Sequence, residues 1–313
     1  MKKYILIALL FLSLGSLRAQ QDALFSHYYW NQQLYNPAYV GSKEMVHTQA
    51  IYRMQWAGFE GAPNTISIAA HSPLKNKKFA LGGNLYNDNI GLYSRTGIDI
   101  AYAYRLQITE KIKLSLGMQG SILVQKFKSN ESITDDGAAD PTIDNLNSTA
   151  FAPNFGAGVY MYSDRFAVGF GVPHIINGGI AKSNKEKINQ RNHYYITGSF
   201  IQALGAKIKL MPTATFRFNG GTPLNLDGNV NFVFADAFIL GVGVRTEKSL
   251  LFLAQYQLIK NSTSKSNQLR IGYAYDMSWN PLRKYNKGSH EIMLSYGFGK
   301  IDSGERALSP RYF

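Results

Sequence analysis

Six histidines are the first residues to test for chemistry: His27, His47, His71, His174, His193 and His290. None stands at the spacing of a metal-binding pair, and His290-Glu291 lacks the second histidine that a zinc-protease helix needs. No serine sits in a nucleophile-elbow context, and no serine, histidine and acid group on one strand face. Glu131, Asp135, Asp136, Asp140 and Asp144, with Pro141 among them, form an acidic stretch without the regular spacing of a calcium loop. Gly82-Gly83 and Gly169-Phe170-Gly171 are not phosphate loops. They fall inside strand patterns, where glycine permits close packing or bending. The residues therefore predict neither catalysis, nor a bound metal, nor a cofactor.

One group reads instead as a binding surface. Trp56, Phe59 and Glu60 lie within Gln55-Trp56-Ala57-Gly58-Phe59-Glu60-Gly61-Ala62-Pro63. Aromatics beside Gly and Pro are unusual on a loop that has only to be soluble. Such rings anchor interfaces because they cover large area at small entropy cost. The bland alternative is that both rings fold back over a rim or pack on the N-terminal segment.

What holds these residues in place is a two-residue rhythm. In Ser289–Phe298, His290, Ile292, Leu294, Tyr296 and Phe298 share one face, and Glu291, Met293, Ser295 and Gly297 the other. The same split recurs along the chain. Ile98, Ile100, Tyr102 and Tyr104 oppose Asp99, Ala101, Ala103 and Arg105. Leu269, Ile271, Tyr273 and Tyr275 oppose Gln268, Arg270, Gly272 and Asp276. About fourteen such strands, with apolar faces that end in Tyr or Phe, predict an all-β fold: a transmembrane antiparallel β-barrel. The last strand must pair with the first, because an open edge cannot survive in hydrocarbon.

Composition agrees. The 313 residues contain 20 Tyr, 18 Phe, 17% charged residues and no Cys, which excludes disulfides and thiolate chemistry. The formal charge is +13, but the cations are dispersed, which argues against nucleic acid. They gather mildly in turns such as Arg283-Lys284-Tyr285-Asn286-Lys287, which suits anionic headgroups or an acidic partner.

Four segments are expected. Residues 1–19 read as a signal peptide: Met1-Lys2-Lys3 is its basic start, Tyr4 to Leu17 its apolar core, and Ala19 precedes the cut. A retained membrane anchor is the alternative, for which the run is short. Residues 20–45 are aromatic-dense, with turn chemistry at Asn36-Pro37-Ala38. They form either a plug in the lumen or a segment at the periplasmic mouth. Residues 46–298 are the barrel, and 299–313 a C-terminal periplasmic tail. With a periplasmic N-terminus, connections 55–64, 87–97, 127–152, 173–191 and 277–288 face outward. Short turns such as Thr109-Glu110 and Ser163-Asp164 face inward.

Three blocks together resemble the PorP/SprF family of Bacteroidota outer-membrane proteins. They are Gln21-Asp22, Phe25-Ser26 and Asn36-Pro37-Ala38; then Tyr52 to Pro63 with Asn87-Asp88 and Gly91; then Gly272 to Asp276 with Gly288 to Ile292. The resemblance implies a non-enzymatic barrel of the type IX secretion system in the cell outer membrane. It would assist secretion or surface attachment of a cognate large adhesin, of the gliding type, through the adhesin's C-terminal domain. Other secretion components and outer-membrane lipid would be its further partners. The second function class is an outer-membrane channel for a small solute. The extra residues 299–313 leave both Phe298 and Phe313 as candidates for the terminal aromatic of the insertion signal.

Overall fold

A computed structural model describes residues 25–127, 148–177, 180–181, 192–219, 224–259 and 267–299. The acidic stretch, the expected signal peptide and nearly all of the tail lie outside the described residues. Among those described, fourteen strands are joined by antiparallel ladders: β1 (Val46–Met54), β2 (Asn64–Pro73), β3 (Phe79–Ile90), β4 (Tyr93–Gln107), β5 (Lys113–Phe127), β6 (Ser148–Tyr162), β7 (Phe166–Val172), β8 (Tyr194–Phe200), β9 (Ile208–Phe218), β10 (Asn225–Phe234), β11 (Phe238–Arg245), β12 (Ser249–Ile259), β13 (Gln268–Ser278) and β14 (Ser289–Phe298). After Ile201, β8 resumes as Gln202–Ala203 against β9, and Ile180–Ala181 pairs with β6.

Each strand pairs with its neighbours in sequence, and β14 pairs with β1 from Val46↔Phe298 to Met54↔His290. That last ladder closes the cylinder, as a barrel in lipid requires. β7 ends at Val172 because Pro173 has no N–H to give a ladder.

The rhythm becomes an outside and an inside. Ile66, Ile68, Ile98, Ile100, Met118, Ile292 and Leu294 are exposed on the outer face. Thr65, Ser67, Asn84, Gln119, Asn154, Thr197, Asn231 and Ser295 are buried on the inner one. Leu294 and Ser295 stand on opposite faces, as the alternation predicts.

One connection differs from expectation. Residues 87–97 are not a loop: the β3–β4 ladder continues through Asn87↔Thr96 to Ile90↔Tyr93, and only Gly91 and Leu92 turn. Polar side chains hide this hairpin from a hydropathy reading. Asn87 Nδ2 donates across it to Thr96 Oγ1 at 2.9 Å, and Asp88 Oδ1 accepts from Thr65 Oγ1 on the neighbouring β2 at 2.6 Å. Likewise β6 starts at Ser148, five residues before the expected Pro153.

Connections after odd-numbered strands gather at one end of the cylinder, here the loop mouth, and those after even-numbered strands at the other, the turn mouth. At the turn mouth, Ala235 and Asp236 carry positive φ values of 50° and 57°, the conformation of a tight hairpin.

Candidate functional site

Residues 25–45, which precede β1, pack against inward-facing residues of the strands. Asn36 and Pro37 initiate a 3₁₀ turn over Pro37–Tyr39, in which Asn36 Oδ1 accepts from Ala38 N at 2.9 Å. Proline suits the first position, where its missing N–H costs nothing. A second 3₁₀ turn covers Gln32–Leu34.

Its aromatics supply most of the contact. Phe25, Tyr28, Tyr29, Trp30, Tyr35 and Tyr39 are all buried. Tyr28 and Tyr29 meet edge to face at 5.8 Å, Tyr39 and Tyr160 at 5.5 Å, and Tyr35 lies 4.8 Å from Tyr195. Each such pair adds roughly 0.5–1.5 kcal/mol beyond the area it buries. The Trp30 ring has Lys43 Nζ at 4.2 Å and the Arg270 guanidinium at 4.5 Å, two cation–π contacts. Burial pushes the hydroxyls of Tyr28, Tyr29, Tyr35 and Tyr39 well above the ordinary phenol range. They therefore act as neutral hydrogen-bonding groups. Tyr29 Oη accepts from Gln255 Nε2 at 3.1 Å, and Tyr39 Oη donates to Trp30 O at 3.2 Å.

The wall makes room for the segment with glycine. Gly117, Gly158 and Gly171 stand side by side in register on β5, β6 and β7. A Cβ on Gly117 would fall 2.2 Å from Ala38 N, one on Gly158 2.1 Å from Asn36 Oδ1, and one on Gly171 2.2 Å from Tyr35 O. No real side chain tolerates such approaches. The backbone of Tyr35 to Ala38 thus rests in a glycine trough, and Asn36 Nδ2 donates to Val159 O at 2.9 Å.

Ionic groups hold both ends. At the turn mouth, Glu44 Oε1 accepts from Arg105 Nη1 and Lys113 Nζ, both at 2.7 Å. Toward the loop mouth the backbone N–H groups of Ser26 and His27 donate to Glu291 at 2.6 and 2.8 Å. Ser26 Oγ donates to Asp276 Oδ1 at 2.9 Å and accepts from Arg53 Nη1 at 2.7 Å. Arg245 Nη2 donates to Phe25 O at 2.9 Å.

Behind these contacts runs a chain of ion pairs. Arg53 reaches Asp276 at 2.6 Å and Glu291 at 3.2 Å, and Arg245 reaches Asp276 at 2.8 Å and Asp227 at 3.6 Å. Arg217 reaches Asp227 at 3.5 Å and Glu247 at 3.1 Å. A lone buried charge costs several kcal/mol, whereas shared charges with satisfied hydrogen bonds offset that cost. The segment is therefore bonded to strands on opposite sides of the cylinder, from one mouth to the other.

Trp56, Phe59 and Glu60 sit in the β1–β2 loop at the loop mouth. Phe59 and Glu60 are exposed, and Trp56 is half-buried with a positive φ of 51°. Trp56 N donates to Ser289 Oγ at 3.1 Å, and Ala57 exchanges backbone bonds with Gly288 and Lys287 at 2.7 and 2.8 Å. The loop is thus tied to the start of β14, two residues from Glu291.

Two of the histidines come together and the others are dispersed. His47 and His71 lie in the lumen with ring centroids 5.2 Å apart, and His290 Nδ1 is 2.7 Å from Tyr273 Oη on the outer face. Among the described residues no group of three or more His, Cys, Asp or Glu is placed to hold a metal. The sequence reading named Arg53, Arg217, Asp227, Arg245, Asp276 and Glu291 as no site. Their only signal was an inward-facing charge on a membrane strand, a feature that by default marks function.

A closed antiparallel cylinder with an apolar outer belt and a polar interior is an outer-membrane β-barrel. The chain belongs to the PorP/SprF family: the model of "Type IX secretion system membrane protein PorP/SprF" matches residues 17–296. Its place is accordingly the outer membrane, in association with the type IX secretion system. Among solved structures, the toluene transporter TbuX of Ralstonia pickettii aligns with a TM-score of 0.51 at 9% identity, over 85% of this chain and 92% of that one. The P. putida toluene transporter TodX gives 0.45 at 9% identity over 86% and 94%. Omp33 of Acinetobacter baumannii gives 0.44 at 8% over 83% and 100%. Identities this low speak of fold alone. No curated protein matches the chain.

Proposed function

We propose that the barrel is a non-enzymatic accessory of type IX secretion that assists the secretion or surface attachment of one large adhesin, gripping the adhesin's C-terminal domain at the loop mouth. Residues 25–45 act in this reading as a resident plug. The observation that supports it is the set of contacts between residues 25–45 and the inner wall: aromatic packing, the glycine trough and ionic contacts at both ends. A solute channel needs an interior that empties. A docking scaffold needs a rigid one, and the exposed Phe59 and Glu60 beside Trp56 give the loop mouth a surface to offer.

Gentle detergent extraction followed by mass spectrometry of co-purifying proteins tests this reading. A large surface protein recovered with the barrel, and released into the medium when the barrel gene is deleted, is the expected result. Normal adhesin retention in the deletion strain, with loss of uptake of a small solute, would overturn it in favour of the channel.

A further inference from the structure

The loop mouth also carries a continuous, hydrogen-bonded rim. Backbone hydrogen bonds link its connections into one rim. Gly91 N donates to Gly61 O at 2.9 Å, Ala57 N to Gly288 O at 2.7 Å, and Trp279 N to Lys248 O at 2.8 Å. The β3–β4, β1–β2, β13–β14 and β11–β12 connections are thereby joined, and a 3₁₀ turn over Pro281–Lys284 stiffens the longest of them.

Along one arc of this rim, Lys248, Arg283, Lys284 and Lys287 are all exposed, and Tyr285 and Trp279 are exposed among them at 67% and 45%. Among the described residues, the acids near this arc are Glu60, which is exposed, and Glu247, which is engaged by Arg217 at 3.1 Å. The arc is therefore a cationic surface with two open aromatic rings, and it continues into Phe59 through the Ala57–Lys287 bond.

We infer that this arc, from Lys248 through Trp279–Lys287 to Phe59, docks an acidic, aromatic-containing polypeptide segment of the secreted partner. Charge complementarity selects the sign of the segment and steers its approach. Tyr285, Trp279 and Phe59 supply the apolar anchors that a purely electrostatic surface lacks. Cations meant for lipid headgroups would serve anywhere around the girdle. These four are gathered on two neighbouring connections, interleaved with rings and tied across the rim to the β1–β2 loop. The inference rests on the loop mouth facing outward and holding a secreted protein.

The test uses the whole barrel in detergent and a fluorescein-labelled Glu/Tyr copolymer peptide, with a Lys/Tyr copolymer as its counterpart. The Glu/Tyr peptide should bind, with affinity falling as salt rises, and the Lys/Tyr peptide should not. The quadruple variant K248E/R283E/K284E/K287E, with barrel folding verified by heat-modifiable gel mobility, should lose on the order of tenfold or more in affinity. Cells carrying it should release the adhesin.

Equal binding of both peptides, or unchanged Glu/Tyr binding by the folded variant, would overturn the inference. So would a charge-dependent loss confined to lipopolysaccharide vesicles, which would assign the arc to lipid. Adhesin retained by the quadruple variant but released by the deletion strain sinks this inference alone. Adhesin retained by both sinks the proposed function as well.

Discussion

The imidazole Nδ1 of His27 lies 2.7 Å from Glu291 Oε1, and the backbone N–H of the same histidine donates to that oxygen at 2.8 Å. Two residues 264 positions apart are thus joined inside the barrel. The contact ties the start of the luminal segment to the strand that closes the cylinder. Arg53 and Asp276 complete the same cluster, so one carboxylate serves the closure ladder and the segment together.

Removing that carboxylate should unseat the segment before it opens the barrel. Breaking a buried, hydrogen-bonded ion pair costs about 3–5 kcal/mol, since Arg53 is left with reduced compensation. The chain has no Cys, so Asn31→Cys, at a buried position, is a clean reporter. Maleimide labelling of the reporter should be slow in the parent barrel and faster by on the order of a hundredfold or more with Glu291→Ala, with gel mobility still that of a folded barrel. Unchanged labelling would show that the aromatic packing alone holds the segment.

The glycine trough gives an independent route to the same state. Gly117→Leu would place its Cβ 2.2 Å from Ala38 N, against backbone that cannot yield. Gly120, three residues on, has open space around it and faces outward. In planar bilayers the parent and Gly120→Leu should conduct little, while Gly117→Leu should show discrete channel steps. Equal conductance of all three would mean that the segment does not limit flow.

The outer face should punish charge. Leu294→Arg places a cation on the lipid side and should cost about 2–4 kcal/mol if the site lies near the midplane. Ser295→Ala, one residue on, loses a hydrogen bond to His47 Nε2 at 2.8 Å and should cost about 1 kcal/mol. Urea unfolding in phospholipid vesicles, followed by tryptophan fluorescence, measures both. The reverse order would put the register of β14 out by one residue and exchange its faces.

At the loop mouth, Trp56→Ala with Phe59→Ala should leave assembly and gel mobility intact, because Phe59 is exposed and Trp56 only half-buried. The expected phenotype is release of the adhesin into the medium. A folded double variant that retains its adhesin would remove these rings from the interface. A barrel that fails to form would assign them to packing.

Alternation alone determined most of the cylinder. Ser289–Phe298 reads the same as a strand and as a string of letters, because period two is a local property that each residue carries with its immediate neighbours. The apolar face of Ile98, Ile100 and Tyr102, the short turn at Ser163-Asp164 and the need for closure were legible for the same reason. The hairpin at Asn87–Thr96 was not, because polar residues on a strand beyond the apolar belt look like loop until their cross-strand partners are known.

Only the tertiary structure decided what residues 25–45 touch. Gly117, Gly158 and Gly171 become a trough only when two ladders bring them into register. Arg53, Asp276 and Glu291 could be read as inward-facing charges, but not as partners of Ser26 and His27. The contacts of Asp276 and Glu291 span more than two hundred residues, and that of Arg53 spans 27. Pairing over such distances follows from barrel closure and strand register, which no local pattern encodes.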